Sequence, residues 1–281
     1  MLGKILILIV LVSALNLSAS AQETNVYWGD THVHTSNSFD VYLFGTPTST
    51  PDTAYRFARG LPVINPATGT RWQLTTALDF LVVADHAEAL GALPRIFSGD
   101  PALANTTMGK LILEMAPNQT EDELLSIYKM FVRAGTGEKT EQGITAKDIY
   151  MDLHGGNQRR GAWEKYIDTA ERHNTPGEFT TLIGWEWTSM PKGGNLHRVI
   201  FMPQGGEIAR KFLPYSQMES DNPEDLWDWL DKTARETGAD FVAIPHNSNL
   251  SIGQMFPLLR YNGLPVDLEY ARKRMQWERL R

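Results

Sequence analysis

The chain has no cysteine among its 281 residues. Disulfides are therefore excluded, and so are thiolate zinc sites; any metal must sit on imidazole or carboxylate. A basic surplus is also lacking. Lys and Arg number 26 against 33 Asp and Glu, for a formal net charge of -7. A phosphate-rich polymer is repelled on average, so no nucleic-acid partner is expected, although a local cationic site is compatible with that total. A run long enough to cross a bilayer is missing too. Ile5 to Leu15 is apolar but short, follows Lys4, and is followed by Ala19-Ser20-Ala21 before Gln22. Residues 1–21 therefore read as a secretory signal peptide, with an uncleaved anchor as the alternative. In either case the body, residues 22–281, is expected outside the cytoplasm, periplasmic or secreted, with no membrane contact beyond that segment. No internal repeat is visible, and histidine is scarce, at seven residues.

What is present alternates between strand and helix signals. Val26 to His34 is rich in β-branched and aromatic residues and reads as a strand. Asp79 to Ala84, Phe179 to Trp187, Leu196 to Met202 and Phe241 to Pro245 read likewise. Asp52 to Gly60 has helical spacing with a glycine stop. In Ala162 to His173, the residues Trp163, Tyr166, Ile167 and Ala170 form one apolar stripe. Asn222-Pro223-Glu224-Asp225 is a strong helix start, and Gly238 closes that helix. Residues of about 92–160 read as a helical insertion or lid within one domain. The pattern predicts an α/β sheet or barrel.

The histidines give the chemistry. His32 and His34 alternate on a strand and can present two imidazoles to one point. His86 leaves an apolar strand beside Asp85, His246 follows Pro245 at a strand end, and His197 opens a strand before Arg198. Asp40 follows in a loop able to fold back. Glu186 lies in Gly184-Trp185-Glu186-Trp187, where a carboxylate buried without a metal or cation would cost several kcal/mol. Five or six nitrogen and oxygen donors exceed what one tetrahedral ion requires and suggest two or three divalent ions.

These residues carry a resemblance. Gly29 to Thr35, Ala84-Asp85-His86 and Ile244 to Asn247 resemble the polymerase-and-histidinol-phosphatase (PHP) superfamily of metal-dependent phosphoesterases. Ala54 to Gly60, Ile183 to Ser189 and Pro245 to Ser251 are similar to its exported bacterial branch, DUF 3604. The resemblance implies a distorted TIM-like (β/α)7 barrel with two or three manganese, zinc or iron ions. It implies that His32, His34, Asp40, His86, Glu186, His197 and His246 are metal ligands, with Glu186 bridging. One departure stands out: no Asp-x-His motif follows His246, and the chain ends in a charged, helix-like Met275 to Arg281. A fragment with an incomplete barrel and an under-ligated metal is expected, or else a variant with a reduced site.

The expected activity is hydrolysis of a phosphoester on a small anionic substrate by a metal-bound hydroxide. His32, His34, Glu186, His246 and Arg198 are expected to carry catalysis. Asp85 is expected to orient an imidazole. Lys192, Arg198, Asn247 and Asn249 are candidates for holding an anionic group, against a plain reading as salt-bridge and turn residues. His154 and His173 read as solvent or capping residues. The rival readings are hydrolysis of an amide, carboxylic or sulfate ester, and a non-catalytic secreted metal-binding protein. The oligomeric state is open.

Overall fold

The apolar runs become strands of one curled sheet, described in a computed structural model over residues 24–279. In chain order the strands are β1 (Gly29–Val33), β2 (Val63–Ile64), β3 (Arg71–Trp72), β4 (Phe80–Val83), β5 (Thr180–Trp187), β6 (Arg198–Met202) and β7 (Val242–Pro245). The helices are α1 (Phe39–Leu43), α2 (Pro51–Ala58), α3 (Ala92–Phe97), α4 (Pro101–Ala104), α5 (Thr107–Met115), α6 (Glu121–Gly135), α7 (Ala146–Leu153), α8 (Gly156–His173), α9 (Gly206–Ala209), α10 (Pro223–Thr237) and α11 (Leu268–Trp277). The main sheet runs β1-β4-β5-β6-β7, and β2 pairs only with β3.

The expected (β/α)7 barrel is not what the chain builds. β1, β4 and β5 are parallel, but β5 pairs antiparallel with β6, and β6 with β7. The physical reason lies in the link from β5 to β6, residues 188–197. It holds a proline and two glycines and folds as a short turn around Pro191–Gly193. A parallel crossover needs room for a helix, so this link can only send the chain back beside itself. Among the described residues the result is a mixed five-stranded half-barrel.

The two faces of the sheet differ. One carries Leu81, Val83, Ile183, Trp185, Ile200 and Ala243 and packs against α2, α8 and α10 through Tyr55, Trp163, Tyr166 and Trp227. Each such fully buried side chain contributes on the order of 2 kcal/mol, so this face anchors the sheet. The other carries the smaller cluster of Val82, Ala84 and Val199, with Leu182, Phe201 and Ile244 only partly buried against it. Helices α3 to α7 surround a second core that includes Leu93, Ile96, Ile112, Ile127 and Leu153, which accounts for the helical character read at about 92–160.

Local signals explain most helix bounds. Thr50 accepts the N–H of Thr53 ahead of Pro51 in α2. Asn222 accepts the N–H of Glu224, and Gly238 takes the left-handed conformation (φ 83°) that ends α10. The predicted start of β1 is corrected. Val26, Tyr27 and Trp28 lie outside the strand and are exposed, because strand propensity without packing on both sides does not hold an edge. The signal-peptide reading, 1–21, lies outside the described residues. Among the described residues no helix is long and apolar enough to cross a membrane.

Candidate metal centre

The mixed sheet gathers the predicted ligands at one edge without a barrel. His34, His86 and Glu186 lie at the C-terminal ends of the parallel strands β1, β4 and β5, with His32 just inside β1. Because β6 runs the other way, its entry lies at that same edge, and His197 immediately precedes it. β7 reverses again and delivers His246 at its exit. Alternation then decides the face. His86, Glu186, His197 and His246 are in phase with Ala84, Leu182, Val199 and Ile244, so they belong to the face without the tryptophan core. Register joins them across the edge: His86 bridges Glu186, and the N–H of His246 donates to the carbonyl of His197 at 3.3 Å.

Glu186 is the hub, with a side chain 1% exposed. Its Oε2 lies 2.8 Å from His32 Nε2 and 2.7 Å from His34 Nε2. Its Oε1 lies 2.5 Å from His197 Nδ1, 3.4 Å from His246 Nε2 and 3.6 Å from His86 Nδ1. Asp40 Oδ2 is 3.5 Å from His86 Nε2, and Asp40 Oδ1 is 4.0 Å from His34 Nδ1. Three groups have the spacing of a cation site: His32, His34 and Glu186; His34, Asp40 and His86; and Glu186, His197 and His246. They share His34 and Glu186, and they include all seven residues predicted as ligands.

Two observations test whether these residues fit metal ions. Glu186 Oε1 is buried and has no hydrogen-bond partner despite three imidazoles around it. Also, His32 Nε2, His34 Nε2 and Glu186 Oε2 lie within 2.8 Å of one another. A single proton satisfies only one pair of such a trio, and protonating both imidazoles would set like charges in contact. A shared cation satisfies all three atoms at once. The donor set, imidazole with carboxylate and no thiolate, suits a divalent cation of hard to borderline character.

The protein groups also shift one another's charges. Burial by itself raises the Glu186 carboxyl, but the imidazoles of His86, His197, His246 and His32 around it outweigh that and hold it well below the usual range. Burial likewise opposes ionisation of Asp40, yet His86 and His34 bring it down to about 2. Burial disfavours the charged form of His86, but Glu186 and Asp40 raise it to about 9. His197 is lowered, chiefly by burial. With protein groups alone, the two carboxylates are thus held ionised by the imidazoles packed around them.

The remaining predicted residues fall elsewhere. Arg198, adjacent to His197, faces the opposite side of the sheet. It is 1% exposed, pairs with Glu278 (Nε to Oε1 3.0 Å), bonds the Leu196 carbonyl and lies over the Trp187 ring. Its guanidinium is therefore committed and does not face the cluster. Lys192 is exposed, in the left-handed region (φ 53°), on the wall of an open cleft of about 870 Å³ with Tyr150, Gln217 and Tyr261. Asn247 and Asn249 are exposed on the short turn after His246. Asp85 is buried and accepts the Thr35 N–H and hydroxyl and the Ser38 hydroxyl. His154 caps α7 but is buried, bonding Glu219 and Ser216, and His173 bonds Asp52.

Sequence reasoning missed four neighbours. Thr188 Oγ1 bonds His86 Nδ1, and as the alternate position to Glu186 it was findable by strand phase. Glu88 is buried and accepts the N–H groups of Thr188 and Gln217; an acid in the run Ala84 to Leu90 carried the same signal as Glu186. Phe39 stacks on His86 with ring centroids 5.0 Å apart. Ser38 sits among His34, Asp85 and His86, and nothing in a polar loop marked it.

No curated protein and no solved structure matches the chain. A family model does match, over residues 21–281, and so takes in every residue of the cluster; the chain belongs to the family it describes, Protein of unknown function (DUF3604).

Proposed function

We propose that this chain is an exported metal-dependent hydrolase, related to the PHP superfamily, that acts on a phosphoester of a small molecule. The observation that carries the reading is the convergence of five imidazoles and two carboxylates into three overlapping groups at one sheet edge. The leader-like residues 1–21 support export. His32, His34 and Glu186 would hold one divalent ion, and Glu186, His197 and His246 a second. Asp40 and His86 lie beside them. Ions bound there supply Lewis acidity and acidify water.

The chain's own residues do the rest. Glu186 spans two of the groups and carries its negative charge where solvent does not screen it. Asp40 stays ionised across the neutral range. His32, with a side chain 32% exposed, marks the open side of the site, whereas Phe39 closes the side over His86. Arg198 takes no part in holding substrate, which leaves Lys192 as the candidate cation for an anionic group. No protein nucleophile is required.

The test is metal analysis of purified protein beside a His32→Ala/His34→Ala variant, followed by chromogenic phosphate, carboxylic and sulfate esters with added manganese or zinc. Wild type carrying at least one tightly held ion more than the variant, with phosphoester turnover, is the expected result. Equal metal content in the two proteins would sink the reading. Turnover of another ester class moves the substrate, and metal without turnover favours a binding protein.

A further inference from the structure

Ser38 occupies the N-cap position of α1 with extended backbone (φ -77°, ψ 137°). A serine there ordinarily accepts an N–H from the first turn of its own helix. Ser38 makes no such bond. Its fully buried side chain turns inward instead. Its Oγ lies 2.8 Å from His34 Nδ1, 2.9 Å from Asp85 Oδ1 and 2.9 Å from the backbone nitrogen of His86. A capping residue that gives up its cap for three contacts with the site has a reason other than helix stability.

Asp85 is placed as an acceptor by three donors, the N–H and hydroxyl of Thr35 and the hydroxyl of Ser38, and one arrangement of the protons then satisfies every contact of Ser38. A hydroxyl has one proton to donate and two lone pairs. The His86 N–H fills one lone pair. Asp85 accepts the hydroxyl proton, as it accepts the N–H and hydroxyl of Thr35. The remaining lone pair faces His34 Nδ1, which must therefore carry hydrogen and donate. The lone-pair nitrogen of His34 is then Nε2, the atom beside His32 Nε2 and Glu186 Oε2.

We propose that Ser38 is a positioning residue that links Asp85 to His34 and fixes the His34 proton on Nδ1, so that Nε2 is presented as the ligand atom. The inference rests on the metal reading above and sharpens it. A neutral imidazole has one lone pair for one ion. His34 thereby serves the group with His32 and Glu186, and the group with Asp40 and His86 keeps only two protein donors. The two groups that share Glu186 are then the ones with a full set.

The experiment uses the whole chain in three forms: wild type, Ser38→Ala and Ser38→Thr. Zinc affinity is measured by calorimetry, folding by circular dichroism, and the His34 proton by ¹⁵N imidazole spectra of metal-free wild type at a pH where the ring is neutral. The spectra are expected to show the proton on Nδ1. Ser38→Ala is expected to weaken zinc binding roughly 10- to 100-fold, and Ser38→Thr, which keeps the hydroxyl, to stay within a few-fold of wild type. A proton on Nε2, or a folded Ser38→Ala protein with wild-type affinity, overturns the proposal. The spectra need no variant, so they decide even if Ser38→Ala does not fold. Wild type that takes up no zinc sinks the metal reading, while the spectra still decide the role of Ser38.

Discussion

Arg198 and Glu278 form an ion pair inside the protein, with Nε 3.0 Å from Oε1 and side chains 1% and 0% exposed. Glu278 also accepts from Trp227 Nε1 and Arg274 Nε, so one carboxylate ties β6, α10 and the end of α11 together. Removing one partner leaves the other charge buried and uncompensated, a loss of about 3–5 kcal/mol. Arg198→Met and Glu278→Gln are each expected to lower stability by that order in urea unfolding. The folded fraction should keep its full metal content. Unchanged stability, or metal loss in a protein that remains folded, would put Arg198 back at the site.

That pair shows what the sequence could and could not say. His197 and Arg198 are adjacent on a strand, so only one of them can face the cluster; this was legible from alternation alone. The convergence of these histidines was legible because apolar runs ending in histidine mark strand ends wherever the strands go. The sheet order was not. The short link between Trp187 and Arg198 forces a hairpin, yet β6 and β7 are also antiparallel although α10 lies between them, which no local pattern encodes. Ser38 was invisible for a related reason: its partners Asp85 and His86 are distant in sequence and meet it only through the β1–β4 pairing.

Glu219 gives a pH dependence that involves none of the cluster's own carboxylates or imidazoles. Burial by itself would raise its carboxyl, but His154, Arg159 and Ser216 outweigh it and hold it at about 2, below the ordinary 4.5. A depressed carboxyl stabilises the fold fully above its unfolded value, and that stability is lost as pH falls through 4.5 toward 2. The full contribution is about 3 kcal/mol, of which about 2 kcal/mol is gone by pH 3. Urea unfolding of wild type should weaken between pH 7 and pH 3 by that much more than unfolding of Glu219→Gln. Parallel pH curves for the two proteins would exclude the effect.

Gly184 tests how tightly the sheet holds the hub. A Cβ there would lie 2.5 Å from the Ile200 carbonyl oxygen and 2.7 Å from Val82 Cγ1, between β4 and β6. The carbonyl belongs to the partner strand and cannot yield without moving the ladder. Overpacking of this kind costs about 1–3 kcal/mol. Gly184→Ala is therefore expected to lose that stability, and it should weaken metal binding as well, because Glu186 follows on the same face. A variant with wild-type thermal stability and wild-type metal content would show that β5 has slack.

Glu186→Gln probes the centre most directly, because it keeps shape and removes charge. Glu186 is the one acid shared by two of the three groups, and its Oε1 has no hydrogen-bond partner. An amide offers one neutral oxygen and an N–H₂ that must point at imidazole nitrogens or at a cation. Both ions should therefore weaken together, by on the order of a hundredfold or more, since a direct ligand matters at least as much as the outer partners worth 10- to 100-fold. His246→Ala, by contrast, touches only the group with His197 and should release one ion while leaving the other. Zinc titration that resolves stoichiometry separates the two outcomes. If Glu186→Gln also lost only one ion, Glu186 would not be shared.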